Sequence, residues 1–288
     1  MINFQQKLST YFNFLVNKSK SIPFTFIEIF KQYKCLLCGD YCKKIPQGSL
    51  ARLTKFCPPC LNELPFNQNA CRTCALPFHH DLTEPTPYID VSSLQTKPQK
   101  TSNVCGECLK KPPPFTQIIS PFCYQFPIDA IIHELKYRQR QYWINSLCPA
   151  LINQVTYRYV DDSFPDLLIP IPLHPDKEKL RGYNQAVLIS QYLSSSLDIQ
   201  ICRHVLRKTR STKSQAGLNK NERIRNLKNS FNIDRKELIS TKHIALIDDV
   251  VTTKATVELC SKLLLASGAS RVDIWCLART PKVEIIRR

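Results

Sequence analysis

Eight of the fourteen cysteines stand in four Cys-x-x-Cys turns: Cys35 with Cys38, Cys57 with Cys60, Cys71 with Cys74, and Cys105 with Cys108. No other feature limits the fold so sharply. Such a turn aims two thiolates at one point, and two turns together make a four-sulfur tetrahedron suited to zinc. Between Cys38 and Cys57 lie 18 residues, a usual spacing for paired knuckles. Between Cys74 and Cys105 lie 30, mostly polar and proline-bearing, as an inserted loop should be. A disulfide framework is the competing reading, and it requires export. The first 20 residues have no continuous apolar stretch and no small-residue cleavage site. No segment reaches the roughly 18 apolar residues of a membrane span. The chain therefore reads as cytoplasmic, with reduced thiols and structural zinc. One ion or two is left open; pairing neighbours in sequence gives two. His79 and His80 lie near the third turn as alternative ligands, which eight cysteines make unnecessary. Cys42, Cys123, Cys148, Cys202, Cys260 and Cys276 stand singly and read mainly as small core residues. A ribbon of this kind has little apolar core, so metal supplies its folding energy and a chelator should unfold it.

Three prolines in "KKPPPF" (110–115) stiffen the chain after the last turn and mark a boundary. This predicts an N-terminal arm over 1–34, a double ribbon over 35–112 and a larger domain over 113–288. In that last part, extended and helical patterns alternate. "TQIISPFCYQF" reads as extended. "IDAIIHELKYR" reads as a helix with Ile128, Ile131, Ile132 and Leu135 on one face. "DLLIPIPL", "HIALIDD" and "RVDIWCLA" read as buried strands. "NQAVLISQYLSSSL" and "TVELCSKLLLASG" read as helices, the second with Val257, Leu264 and Leu265 facing the core and Gly268 ending it. Fully apolar strands alternating with helices indicate an α/β fold with a parallel sheet covered on both faces.

The net charge is +17, which makes a polyanion or a phosphorylated small molecule the natural partner. Part of that excess is local: from Arg207 to Lys228 eight Lys and Arg residues face a single acid, Glu222.

In open parallel sheets, ligands bind at the carboxyl ends of strands. "IALIDDVVTTKAT" falls there, with Ile244 to Ile247 as strand, Asp248 and Asp249 as its end, and Val250 to Ala255 as the loop into a helix. A helix N-terminus offers free amides to a phosphate, and Thr252, Thr253 and Thr256 add hydroxyls. The two aspartates can accept hydrogen bonds from vicinal ribose hydroxyls. Together these residues suit a ribose 5-phosphate.

That run resembles the phosphoribosyl-pyrophosphate (PRPP) motif of type I phosphoribosyltransferases. With the cysteine turns, "HELKY", "RGYNQ", "RNLKNSF" and "DIWCLART" in order, residues 35 to 281 resemble the ComF family, in particular its GntX-like members. The resemblance implies a phosphoribosyltransferase-like parallel sheet flanked by helices, behind a small zinc-ribbon domain with four-cysteine sites. It implies a PRPP site made of Asp248, Asp249, Val250, Val251, Thr252, Thr253, Lys254, Ala255 and Thr256, the two aspartates being the catalytic pair. Arg181 and Gly182, with Lys177 or Lys179, would form the pyrophosphate side, and Asn184 and Gln185 would cap the next helix. Gln215, Arg223 and Asn226 would belong to a flap, and magnesium would accompany PRPP. The family's link to natural competence implies a role in DNA uptake and processing. Two functions follow: a phosphoribosyltransferase with an unnamed acceptor, or a non-catalytic accessory protein that binds single-stranded DNA or a competence partner. Lys254 departs from the family's usual glycine. At positive φ it would cost about 1 kcal/mol, and its ammonium is a candidate point charge for the phosphate.

Overall fold

The computed structural model describes residues 33–42, 55–78, 103–209 and 230–282. The expected arm (except Tyr33 and Lys34), His79 and His80, and the flap residues Gln215, Arg223 and Asn226 fall outside the described residues.

Two short strands, β1 (Tyr33–Lys34) and β2 (Tyr41–Cys42), and the helical turn α1 (Pro58–Asn62) carry the first cysteine group. The turn α2 (Gly106–Lys110) carries the end of the second. The larger unit runs β3 (Ile118–Ile119), β4 (Phe122–Cys123), α3 (Ile128–Tyr137), α4 (Tyr142–Arg158), β5 (Leu167–Pro170), α5 (Pro175–Arg181), α6 (Gln185–Leu197) and β6 (Gln200–Ile201). A separate antiparallel hairpin follows, β7 (Leu206–Lys208) with β8 (Phe231–Ile233). The chain then returns as β9 (His243–Val251), α7 (Ala255–Ala266) and β10 (Arg271–Arg279). The main sheet has the order β3-β10-β9-β5-β6, with β4 also on β10, and every pairing is parallel.

Alternate residues of the strands enter opposite cores, as a pleated strand buried on both faces requires. Ala245, Ile247, Trp275 and Leu277 join Ile128, Ile132 and Leu135 of α3, Leu147 and Leu151 of α4, and Ile189 of α6. Ile244, Leu246, Ile274 and Cys276 join Val257, Cys260 and Leu264 of α7 and Phe231 of β8. The predicted face of α3 is the one buried, while Leu265 of α7 is only half-buried. The cysteine segments take part in both cores: Cys35, Phe56, Cys57 and Leu64 lie in the first, and Cys71, Cys74, Leu76, Cys105 and Phe115 in the second. The ribbons thus clasp opposite faces of the sheet, and their apolar residues are continuous with its cores. Among the described residues no helix is long and apolar enough to cross a membrane.

Two local expectations are corrected. The strand after His243 does not end at the acid pair but runs on to Val251, which pairs with Arg279, so the loop shrinks to Thr252–Lys254. Gln185 lies inside α6 and caps nothing; Asn184 alone does so, its Oδ1 accepting from the Ala186 amide at 2.9 Å.

Towards the amino end of the sheet, Asp273 is wholly buried. It accepts hydrogen bonds from Gln117 Nε2 (3.1 Å), the Tyr159 hydroxyl and Arg271 (2.8 Å), and lies 3.1 Å from His243 Nε2. Burial alone would raise its pKa; the bonds from His243, Tyr159, Arg271 and Gln117 outweigh it and hold the carboxyl below its ordinary value. A depressed carboxylate contributes stability that is present above its unfolded pKa, about 3.9, and is lost as pH falls through the folded value. Asp273→Asn should therefore destabilise the protein by about 3 kcal/mol or more at pH 7, with the difference shrinking below about pH 4. Denaturant melts across pH 2.5 to 7 check this; a difference independent of pH would refute it.

Candidate functional site

The register of β9 between β5 and β10 brings three connections to one edge. Pro170 lies beside Ile247 and Ala278 beside Val250, so the segments after β5, β9 and β4 share the carboxyl end of the sheet. Asp248 and Asp249 stand near the carboxyl end of β9. Asp248 Oδ1 accepts from the Asp249 amide at 2.9 Å, and Asp249 Oδ1 from the Val250 amide at 2.8 Å. Burial, then the neighbouring Asp249 charge, pushes the Asp248 pKa well up from the ordinary carboxylate range. Asp249 meets a cation instead: Lys136 Nζ of α3 lies 2.7 Å from its Oδ2.

Beyond the acids, Thr252, Thr253 and Ala255 are exposed, whereas Lys254 between them is buried. Lys254 has φ 64°, the left-handed region that favours glycine, and it is the N-cap of α7 with no side-chain cap. The backbone therefore keeps the conformation a glycine would allow. The ammonium pairs with Glu107 of the fourth cysteine turn at 3.3 Å and with Glu258 at 3.9 Å. The charge proposed for a phosphate is thus met by carboxylates. The uncapped first turn of α7 leaves backbone donors without intrahelical acceptors.

Opposite the loop, Asn184 Nδ2 donates to the Ile171 carbonyl (2.9 Å) and secures the segment after β5. Arg181 closes α5, its guanidinium 5.1 Å from the centre of the Tyr137 ring and its Nη1 donating to Gln185 Oε1 at 3.2 Å. Gly182 follows with φ 79°, the left-handed C-cap that ends the helix. Lys177 and Lys179 are exposed on α5. Lys208, the last residue of β7, is within electrostatic reach of Lys177 and Asp248; burial first, then Lys177, lowers its pKa. Sequence reasoning missed Lys136 as the partner of Asp249 and Arg279 as the partner of the loop. The only signal for either was membership of "HELKY" and "DIWCLART".

The cysteines gather as two groups, Cys35/Cys38/Cys57/Cys60 and Cys71/Cys74/Cys105/Cys108, with the four sulfurs of each within 4.8 Å of one another. A tetrahedron with metal–sulfur bonds of about 2.3 Å has edges of about 3.8 Å. Cys38 and Cys57 sulfurs are 3.8 Å apart, and Cys74 and Cys105 sulfurs 3.7 Å. Backbone amides aim at the sulfurs, with Cys57 N on Cys35 Sγ at 3.3 Å and Cys105 N on Cys71 Sγ at 3.2 Å. Both groups are compatible with zinc.

These features define a class of protein in which paired cysteine ribbons flank a parallel α/β sheet that carries an acid pair near the end of a central strand. No family model matches the chain. It is 37% identical over 178 residues to the DNA utilization protein YhgH of Escherichia coli O157:H7, covering 61% of this chain and 78% of the relative. It is 36% identical over 183 residues to the competence protein F of Haemophilus influenzae, again covering 61% and 78%. The chain belongs to this competence protein F, or ComF, family. Among solved structures it is similar to a purine phosphoribosyltransferase from Pyrococcus horikoshii, at 19% identity and a TM-score of 0.31, covering 50% of this chain and 78% of that one.

Proposed function

We propose that the protein binds PRPP or a related ribose 5-phosphate ligand at the loop after β9, and that this binding serves DNA uptake and utilization. The observation that carries the reading is the adjacent acid pair at a parallel strand end, followed at once by exposed threonines and an uncapped helix start. Asp248 and Asp249 accept from the ribose hydroxyls. The hydroxyls of Thr252, Thr253 and Thr256 and the amides of residues 252–256 hold the 5-phosphate. Arg181 and the lysines of α5 face the pyrophosphate. Two neighbouring carboxylates, one raised in pKa by burial and then by the charge of the other, suit a divalent cation, and magnesium fits this donor set. When bound, it neutralises charge on the pyrophosphate leaving group; Asp248 and Asp249 are the residues that would hold it. The conformation of Lys254 supports a working loop, because the lysine adopts the φ a glycine would. Zinc in both cysteine groups completes the reading. Calorimetry with PRPP and magnesium should show micromolar to sub-millimolar binding; no heat at millimolar PRPP would overturn the proposal.

One observation favours a second reading, contact with single-stranded DNA. Tyr137 (60% exposed) and Tyr142 (43% exposed) flank the exposed Arg138 and Arg140 beside the site. Aromatics among cations suit stacking on unpaired bases. Tyr137→Ala with Tyr142→Ala should weaken single-strand retention about tenfold or more, and binding should fall with salt. Retention equal to that of the wild type would exclude this surface.

A further inference from the structure

The loop between β9 and α7 is not held by its own strand and helix alone. Arg279, at the end of β10, is 4% exposed, and no carboxylate lies within ion-pair distance of it among the described residues. Its Nη1 donates to the carbonyls of Val251 (2.9 Å) and Thr252, and to its neighbour Thr280 (3.0 Å). Its Nε donates to the carbonyl of Cys74 at 3.0 Å. One guanidinium thus grips both the phosphate loop and the third cysteine turn. A fixed fork of donors can do this; the single ammonium of lysine cannot reach both sides with the same geometry.

A second tie runs in parallel. Lys254 leaves the loop at positive φ, buries its stem and meets Glu107 of the fourth turn, which also pairs with Lys282 at 3.6 Å. The third turn is itself fastened to the sheet. The carbonyl of Arg72 accepts from Arg158 (2.8 Å) and that of Thr73 from the Ile118 amide (2.8 Å), next to the bond from Arg279 to Cys74. Three successive carbonyls of one cysteine turn are therefore held by the larger unit, which makes the second ribbon a rigid abutment for the loop.

We propose that Arg279 and the Lys254–Glu107 pair are positioning residues, through which the second cysteine ribbon holds the end of β9 at Val251 and the loop Thr252–Lys254 in their ligand-binding conformation. The inference rests on the ribose-phosphate reading for its effect on affinity, and on geometry alone for its effect on the loop. The lysine that replaces glycine then has a role: it trades backbone ease for a tether to the ribbon.

The test uses the full-length, metal-loaded protein and two readouts: PRPP affinity with magnesium, and amide hydrogen exchange over residues 251–256. Arg279→Lys should weaken PRPP about tenfold or more and speed exchange in that loop. Glu107→Gln and Lys254→Met should each weaken PRPP by about three- to tenfold, the double variant should be no worse than the worse single one, and Glu107→Asp should restore part of the loss. Glu107 is half exposed, so its variants test the tie even where Arg279→Lys fails to fold. Unchanged loop exchange in Glu107→Gln, or additive losses in the double variant, would overturn the inference while leaving PRPP binding standing. If wild-type protein binds no PRPP, the ligand reading falls, and loop exchange in the same variants still decides whether the tether exists.

Discussion

Replacing Asp248 with asparagine should weaken PRPP binding about 100-fold while making the ligand-free protein more stable. The loss corresponds to one charge-assisted hydrogen bond of about 2–3 kcal/mol. The gain follows from the position of the acid. Asp248 is raised in pKa by burial and by the charge of Asp249. A carboxyl with a raised folded pKa gives stability that is complete below its unfolded value, near 3.9, and lost as pH rises through the folded value. Asparagine carries no such liability and can still accept from the Asp249 amide. The advantage of the variant should therefore be small near pH 4 and grow from there to pH 8, reaching several degrees in melting temperature. Calorimetric melts with and without PRPP measure both effects. A variant that is less stable than wild type at pH 8, or that binds PRPP normally, would contradict the assignment. Asp249→Asn should show the same binding loss without the gain, because it strips Lys136 of its partner at 2.7 Å.

Exchange of Cys71 for serine should unfold the sheet together with the ribbon. The apolar residues of the second cysteine segment belong to the core built by Ile244, Leu246, Val257 and Ile274, so no seam separates them. Structural zinc contributes about 10–16 kcal/mol in small ribbons, comparable to the whole stability of a domain. Sequence reasoning alone expects a ribbon that melts by itself on chelation. The shared cores predict a single transition in which ribbon and sheet are lost together, seen as coincident changes in zinc release and far-ultraviolet circular dichroism. Two separated transitions, with the sheet intact in the first, would refute this.

Much of this arrangement was legible in the chain. The face of α3, the strand at His243 and the paired cysteine turns follow from period, apolar runs and spacing, which are local properties. What escaped was of two kinds. Helix α4 hid because it is apolar nearly all round and contains Pro149, a residue that reads as a breaker. Pro149 withdraws the one backbone donor that would serve the carbonyl of Asn145, four residues back on an exposed position of the helix. The loop's tethers hid for another reason: Arg279 and Cys74 are 205 residues apart, and only the closed sheet brings them together. The reach of the Lys254 ammonium was equally invisible. Its backbone strain could be anticipated from the missing glycine, but its partner could not.

The place of β10 between β3 and β9 has a consequence for how the molecule is made. The strand is the last to leave the ribosome among those described, yet it is the only one that joins the β3–β4 edge to β9, β5 and β6. Until it emerges, the two halves of the sheet lack their common neighbour, and Arg279 is not there to lock the loop. Contacts of such long sequence separation close slowly, so the nascent chain presents open strand edges for the whole time that residues 118–270 precede residue 271. Holding those edges apart until synthesis is complete is a task for chaperones, and a chain truncated before Arg271 would keep them exposed.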